Sequence, residues 1–121
     1  MKVIIAGSRT LTKPIHVRHA IEKSGFNITT LISGHAKGVD RLGENWASFR
    51  RIHIVYFLPK WGKYGRSAGF KRNEEMAKKA DALIAVWDGK SRDTKHMILT
   101  AKRENLKIFI LKCKPDHTLY S

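Results

Sequence analysis

Apolar residues along this chain gather in five short runs, and the stretches between them repeat apolar positions at helical spacing. The runs are KVIIAG (2–7), ITTLISG (28–34), IHIVYFLP (52–59), ALIAVWDG (82–89) and LKIFILKC (106–113). Each is rich in Ile, Val or aromatic residues, and all but the last stop at Gly or Pro, which predicts strands buried on both faces. The spacing predicts helices over 13–24, 39–51, 69–80 and 93–105. Thr12 stands as a cap for the first, Pro14 falls in its opening turn where a missing N–H costs nothing, and Gly25 stops it. Leu42, Trp46 and Phe49 form the apolar stripe of the second, Phe70, Met76, Ala77 and Ala80 that of the third, and Met97, Ile98 and Ala101 that of the fourth. Strands alternating with helices predict an α/β fold, with a five-stranded, mainly parallel sheet and helices on both faces.

That architecture places any chemistry. In an open α/β sheet, ligands bind beyond the carboxyl ends of the strands, where the strand order reverses. The loops at that edge are 7–12, 34–40, 59–69 and 88–94, and they are polar and basic. Gly34-His35-Ala36-Lys37-Gly38 leads from a strand into a helix, the setting in which a glycine-rich loop can cradle an anion on backbone N–H groups. It is neither a Walker A loop nor a dinucleotide GxGxxG, and alone it is also compatible with an ordinary turn. Gly38 is expected to let an anion approach the backbone without a Cβ in the way. Gly89 opens a second such loop, followed by the hydroxyls of Ser91 and Thr94; Asp93 or Thr94 would also serve as a simple helix cap. Gly7, Ser8 and Arg9 come from the first loop, and Arg72 and Asn73 from the start of the third helix. Trp61 and Tyr64 offer faces for stacking a base, or cover for the core.

Length and composition narrow the classes. The 121 residues fit one domain, since domains usually hold ~100–150 residues, with 113–121 as a polar tail. No run approaches the ~18 apolar residues of a membrane span, and the N-terminal run is too short for a signal peptide. A single cysteine, Cys113, fits a reducing cytoplasm. The histidines at 16, 19, 35, 53, 96 and 117 form no ligand cluster with a thiol or carboxylates, so no metal is expected. Charge changes the picture most. There are 24 Lys and Arg against 10 Asp and Glu, a net charge of +14, and such a field concentrates nucleotides and nucleic acid alike.

Four segments carry a family resemblance. AGSRT (6–10), SGHAKGVDRLGENWA (33–47), AGFKRNEEMAKKADALIAVWDGKS (68–91) and Thr94 resemble the small bacterial and phage branch of the SLOG superfamily, in order and over residues 3–112. That group also holds the Smf/DprA DNA-uptake proteins and the LOG phosphoribohydrolases. The resemblance implies a Rossmann-like three-layer domain, no cofactor, and a homo-oligomer (dimer or larger) as one possible assembly. The chain would work in the cytoplasm of a bacterium or, if phage-encoded, of its host. The LOG pattern also shows departures here. Its loop Gly is Asp93, and its catalytic Glu falls on Met97, while its Arg is retained as Arg72. Asp40, Glu44 or Asp88 would have to supply a missing carboxylate.

Three functions are weighed, for which the residues supply the pocket and the basic surface and the resemblance implies the roles. The first is binding of a nucleotide or nucleotide-derived signal, with Arg9, Lys37 and Arg72 on phosphate, Asp88 or Asn73 on hydroxyls or amines, and Trp61 on the base. The second is cleavage of the N-glycosidic bond of a nucleoside 5′-monophosphate, with Asp40, Asp88 and Arg72 as catalytic candidates. The third is DprA-like binding of nucleic acid along a basic, aromatic-bearing surface.

Overall fold

A computed structural model describes residues 1–114, so the polar segment from 115 onward, with His117, lies outside the described residues. Five strands, β1 (Lys2–Gly7), β2 (Thr30–Ser33), β3 (His53–Tyr56), β4 (Ala82–Trp87) and β5 (Lys107–Lys112), form one sheet in the order β3-β2-β1-β4-β5. Every pairing is parallel. The helices are α1 (Pro14–Ser24), α2 (Val39–Phe49), α3 (Trp61–Tyr64), α4 (Ala68–Lys79) and α5 (Arg92–Arg103), with a tighter helical turn at Gly65–Ser67. This is the three-layer, Rossmann-like arrangement.

The period-two alternation of strands explains why the apolar runs are continuous. Val3 and Ile5 of β1 face one core with Val17, Ala20 and Ile21 of α1 and Val39 and Ala47 of α2. Ile4 and Ala6 face the other, with Met76 and Ala77 of α4 and Met97, Ile98 and Ala101 of α5. Each residue of β1 from Val3 to Ala6 is therefore buried, whichever way it points.

Several expectations need correction. The N-cap of α1 is Lys13 rather than Thr12, with no side-chain capping bond; Gly25 does close the helix, at φ 69°. The third apolar run was expected to stay in the sheet to Pro59. Instead β3 ends at Tyr56, Phe57 N donates to Ser33 O at 2.8 Å, and Leu58 reaches the surface. The loop after it is not irregular, since α3 and the tighter turn occupy it. Phe49 does not complete the α2 stripe: it is the last residue of the helix and 90% exposed. Phe70 is also exposed, stacked on His96 with ring centroids 4.0 Å apart. Ser91 takes the N-cap position of α5, ahead of Asp93 and Thr94, and makes no side-chain capping bond. Cys113 is fully buried in the first core and donates its N–H to Trp87 O, so it belongs to the body of the domain rather than to a tail.

Candidate functional site

The chain runs outward from β1 through β2 to β3, then returns to the other side of β1 for β4 and β5. The strand order thus reverses between β1 and β4, where Gly7 pairs with Val86. Ser8 fastens this switch point. Its N–H donates to Val86 O at 3.1 Å, and its hydroxyl accepts the N–H of Asp88 at 3.0 Å. Its carbonyl accepts the N–H groups of Leu11 and Val39. Ser8 is buried and occupied by the fold.

Gly38 joins the same staple. At φ 77° it adopts a conformation that side chains resist, and a Cβ there would meet Ser8 O at 2.5 Å and Arg9 O at 2.6 Å. The space it leaves is filled by the backbone of the β1–α1 loop. The expected reason for this glycine, an open path for an anion, is therefore replaced by a close backbone contact.

Behind the loop lies a polar network, buried at Ser33, Asp40 and Glu44 and open to solvent at His35. Glu44 Oε2 accepts from the Ser33 hydroxyl at 2.6 Å, and Glu44 Oε1 lies 2.8 Å from His35 Nδ1. His35 N donates to Ser33 Oγ at 3.1 Å, which helps hold His35 at φ 59°. Ala36 N donates to Asp40 Oδ2 at 3.2 Å. Asp40 is 5% exposed, and burial raises its carboxyl to about 6. The bond from Ala36, the charge of Arg72 and the Gly7 N–H offset only part of that cost, and Glu44 adds to it.

Arg72, in the second turn of α4, is buried beside this network. Its Nη1 donates to Gly34 O at 2.8 Å and its Nε to Asn73 Oδ1 at 3.0 Å. Burial lowers its guanidinium from the usual value, against the pull of Asp40 and Asp93. Asn73 reaches on toward α5, where its Nδ2 lies 3.4 Å from Asp93 O and 3.2 Å from His96 Nδ1. Arg72 was expected to close freely on a phosphate. Nη1 instead braces the glycine loop and Nε is held by its neighbour Asn73, while the side chain also lines the space beside them.

That space has three parts. A cavity of about 30 Å³ is lined by Asp40, Arg72, Asn73 and Thr94, with Met76 and Met97 among its apolar walls and Gly7 and Ser91 at its edge. A cleft of about 450 Å³ is lined by Gly34, His35, Ala36, Lys37, Arg41, Trp61 and Arg72. A second cleft, of about 380 Å³, is lined by Ser8, Thr10, Asp88 and Ser91. Arg9 and Asp93 line all three, paired at 3.9 Å with both side chains more than half exposed.

The sequence-derived residues thus divide. Arg9, Gly34, His35, Ala36, Lys37, Trp61 and Arg72 meet at the larger cleft, and Ser8, Asp88 and Ser91 at the smaller. Asp40, Asn73 and Thr94 border the cavity between them, with Thr94 Oγ1 donating to Ser91 Oγ at 3.2 Å. Gly89 shapes its turn at φ 83°. Asp88 turns back on its own loop, where Oδ1 accepts from Lys90 N and Ser91 N at 2.8 Å each. Burial pushes its carboxyl up, but those bonds and the Ser8 hydroxyl outweigh burial and hold it below the usual range. Arg41 was not singled out in the sequence, though it stands in the first turn of α2 and borders the same cleft. Leu58 and Pro59 complete the wall near Trp61. Among the described residues, no three His, Cys, Asp or Glu side chains are grouped to hold a metal ion, and no helix is long and apolar enough to cross a membrane.

Residues 1–64, from β1 through α3, match the family model YAcAr, described as the YspA, cpYpsA-related SLOG family. The fold is similar to that of DNA processing protein A (DprA) from Streptococcus pneumoniae, with a TM-score of 0.72 at 19% identity. The alignment covers 90% of this chain and 49% of that one, so this chain spans about half the length of that structure. At that identity the likeness is one of fold. No curated protein matches the sequence.

Proposed function

The chain belongs to the YspA, cpYpsA-related SLOG family, and on that footing we propose that it binds a nucleotide or nucleotide-derived signal, to sense or sequester it, in the cleft between the Gly34–Gly38 loop and Trp61. One observation carries this reading. Arg9, Lys37, Arg41 and Arg72 border a single cleft of about 450 Å³ that also holds an exposed indole. Phosphate calls for converging cations, and a base calls for a flat apolar face. The volume falls within the ~300–1,000 Å³ usual for small-molecule sites.

Glycosidic cleavage is the less favoured reading. Met97, at the position of the LOG catalytic Glu, is 1% exposed and lines the wall of the small cavity. Asp40, raised by burial to about 6, is a carboxyl that borders the same cavity. Overnight incubation with AMP, CMP or GMP should release little free base. Steady release that disappears in Asp40→Asn would reverse the order of these two readings.

A surface for nucleic acid remains the alternative. It is supported by Lys60, Lys63 and Arg66, all exposed around Trp61 and Tyr64. Amide NMR separates the two. A nucleotide in the cleft shifts the N–H signals of residues 34–41 and the Trp61 indole, and saturates. Shifts spread across the basic surface, with none in that loop, would count against the cleft.

A further inference from the structure

Arg72, Asn73 and His96 form a chain of side chains whose hydrogen-bond directions are fixed from one end. A guanidinium has donors and no acceptor, so the atom of Asn73 that meets Arg72 Nε at 3.0 Å is the carbonyl oxygen. The amide nitrogen of Asn73 is thereby turned toward α5, where it lies 3.2 Å from His96 Nδ1 and 3.4 Å from Asp93 O. That nitrogen only donates, so Nδ1 accepts. His96 is therefore neutral in this arrangement, with its proton on Nε2. These directions hold whatever the cleft binds.

The far end of the chain lies away from the site. Neither Phe70 nor His96 lines the three spaces described above. The imidazole lies flat on Phe70, with centroids 4.0 Å apart and planes 9° apart, and Phe70 is itself exposed. Burial lowers the imidazole from its ordinary pKa; Glu74 on α4 pulls it up, Arg103 on α5 pushes it down, and Asp93 pulls it up by less.

We infer that His96 positions Arg72, through Asn73, only as the neutral imidazole. A proton taken from solvent onto Nδ1 sets an N–H against the amide nitrogen. The amide then turns over, its oxygen accepts from the imidazolium, and its nitrogen faces Arg72 Nε, donor against donor. Arg72 keeps its bond to Gly34 O and loses its second acceptor. The brace on the glycine loop thus loosens as pH falls through the titration of His96.

NMR of the full chain without ligand, from about pH 8 to about pH 5, tests this. Asp40 also titrates beside the guanidinium, so each comparison is made in Asp40→Asn. The Arg72 Nε–H signal should shift with the same midpoint as the His96 ring. His96→Gln stays neutral and can still accept from Asn73. It should keep the neutral-pH signal of Arg72 and abolish the step. Phe70→Leu, at an exposed position, opens the ring to water and should move the midpoints of the ring and of Arg72 upward together. His35→Gln removes the histidine of the loop itself and should leave the step in place. An Arg72 signal that stays flat while the ring titrates, a step that survives His96→Gln or vanishes with His35→Gln, or midpoints that separate in Phe70→Leu would each overturn the inference.

Discussion

The guanidinium of Arg72 occupies the place where a side chain at Gly34 would begin: a Cβ on Gly34 would lie 2.5 Å from Nη1 and 2.8 Å from Cζ. The glycine that ends β2 and the arginine of α4 are thus one unit, in which Nη1 donates to the carbonyl of the residue whose missing side chain makes room for it. Gly34→Ala should expel the guanidinium and leave a buried carbonyl unpaired. The expected cost is ~1–3 kcal/mol. Denaturant unfolding of the variant reads it, and wild-type stability would show that Arg72 is not held in this way.

Arg72→Lys keeps the charge and loses the fork. A lysine reaches Gly34 O or Asn73 Oδ1 as a point donor, and cannot hold the planar pair of bonds that Nη1 and Nε make together. Nucleotide affinity should fall by ~10-fold or more, because the loop that frames the cleft loses its brace. Binding of single-stranded DNA through a diffuse basic surface would be unaffected, since it depends on charge number. A variant that binds nucleotide like wild type would remove Arg72 from the account.

Gly38→Val should damage the fold before it damages binding. Its φ of 77° and the carbonyls of Ser8 and Arg9 leave no room for a branched side chain. Backbone strain of this kind costs ~1–3 kcal/mol before the clash is counted. Thermal melting by circular dichroism should show a clear loss of stability; an unchanged melt with lost binding would restore the anion-path explanation for this glycine.

Much of the fold was legible because a strand buried on both faces writes an uninterrupted apolar run, as Val3 to Ala6 do. Leu58 and Pro59 misled the same rule: they are apolar for the cleft wall, not for the sheet. Arg72 and the glycine loop stood out as site residues, but the brace between Nη1 and Gly34 O joins positions 38 residues apart and leaves no local mark. Glu44 binding Ser33 and His35 is hidden for the same reason. Asp93 stood out as a departure from the family pattern, and only the structure supplies Arg9 as its partner.

Asp93→Asn should free Arg9 for a ligand. The pair is exposed and spans 3.9 Å, so its loss should change stability by no more than ~1 kcal/mol. Removing a negative charge from the rim of both clefts should tighten binding of nucleotides several-fold. Calorimetry checks this. Weaker binding would mean that Asp93 itself contacts the ligand more than it competes with it.

The raised carboxyl of Asp40 sets a pH dependence. Unfolded, it ionises near 3.8; folded, near 6. Between those values the unfolded chain gives up a proton that the folded chain retains, so stability is fully present below pH 4 and is lost as pH rises through 6. The loss amounts to ~3 kcal/mol at neutral pH. Arg72, Glu44, Arg9 and Asp93 are the charged groups around it. Asp40→Asn should flatten this part of the stability profile and raise stability at pH 7. A slope that persists in the variant would assign the effect elsewhere.

On the proposed function, the cations around the Gly34–Gly38 loop serve an open cleft that takes one nucleotide, and do not merely form a charged surface. Calorimetric titration of the full chain with nucleotides at ~50 and ~200 mM salt tests it most directly, because backbone binding of nucleic acid loses orders of magnitude in affinity over that range. The account predicts saturation at one nucleotide per chain, with affinity falling only a few-fold between the two salts. Failure of every nucleotide to saturate, alongside single-stranded DNA binding that collapses at the higher salt, would contradict it.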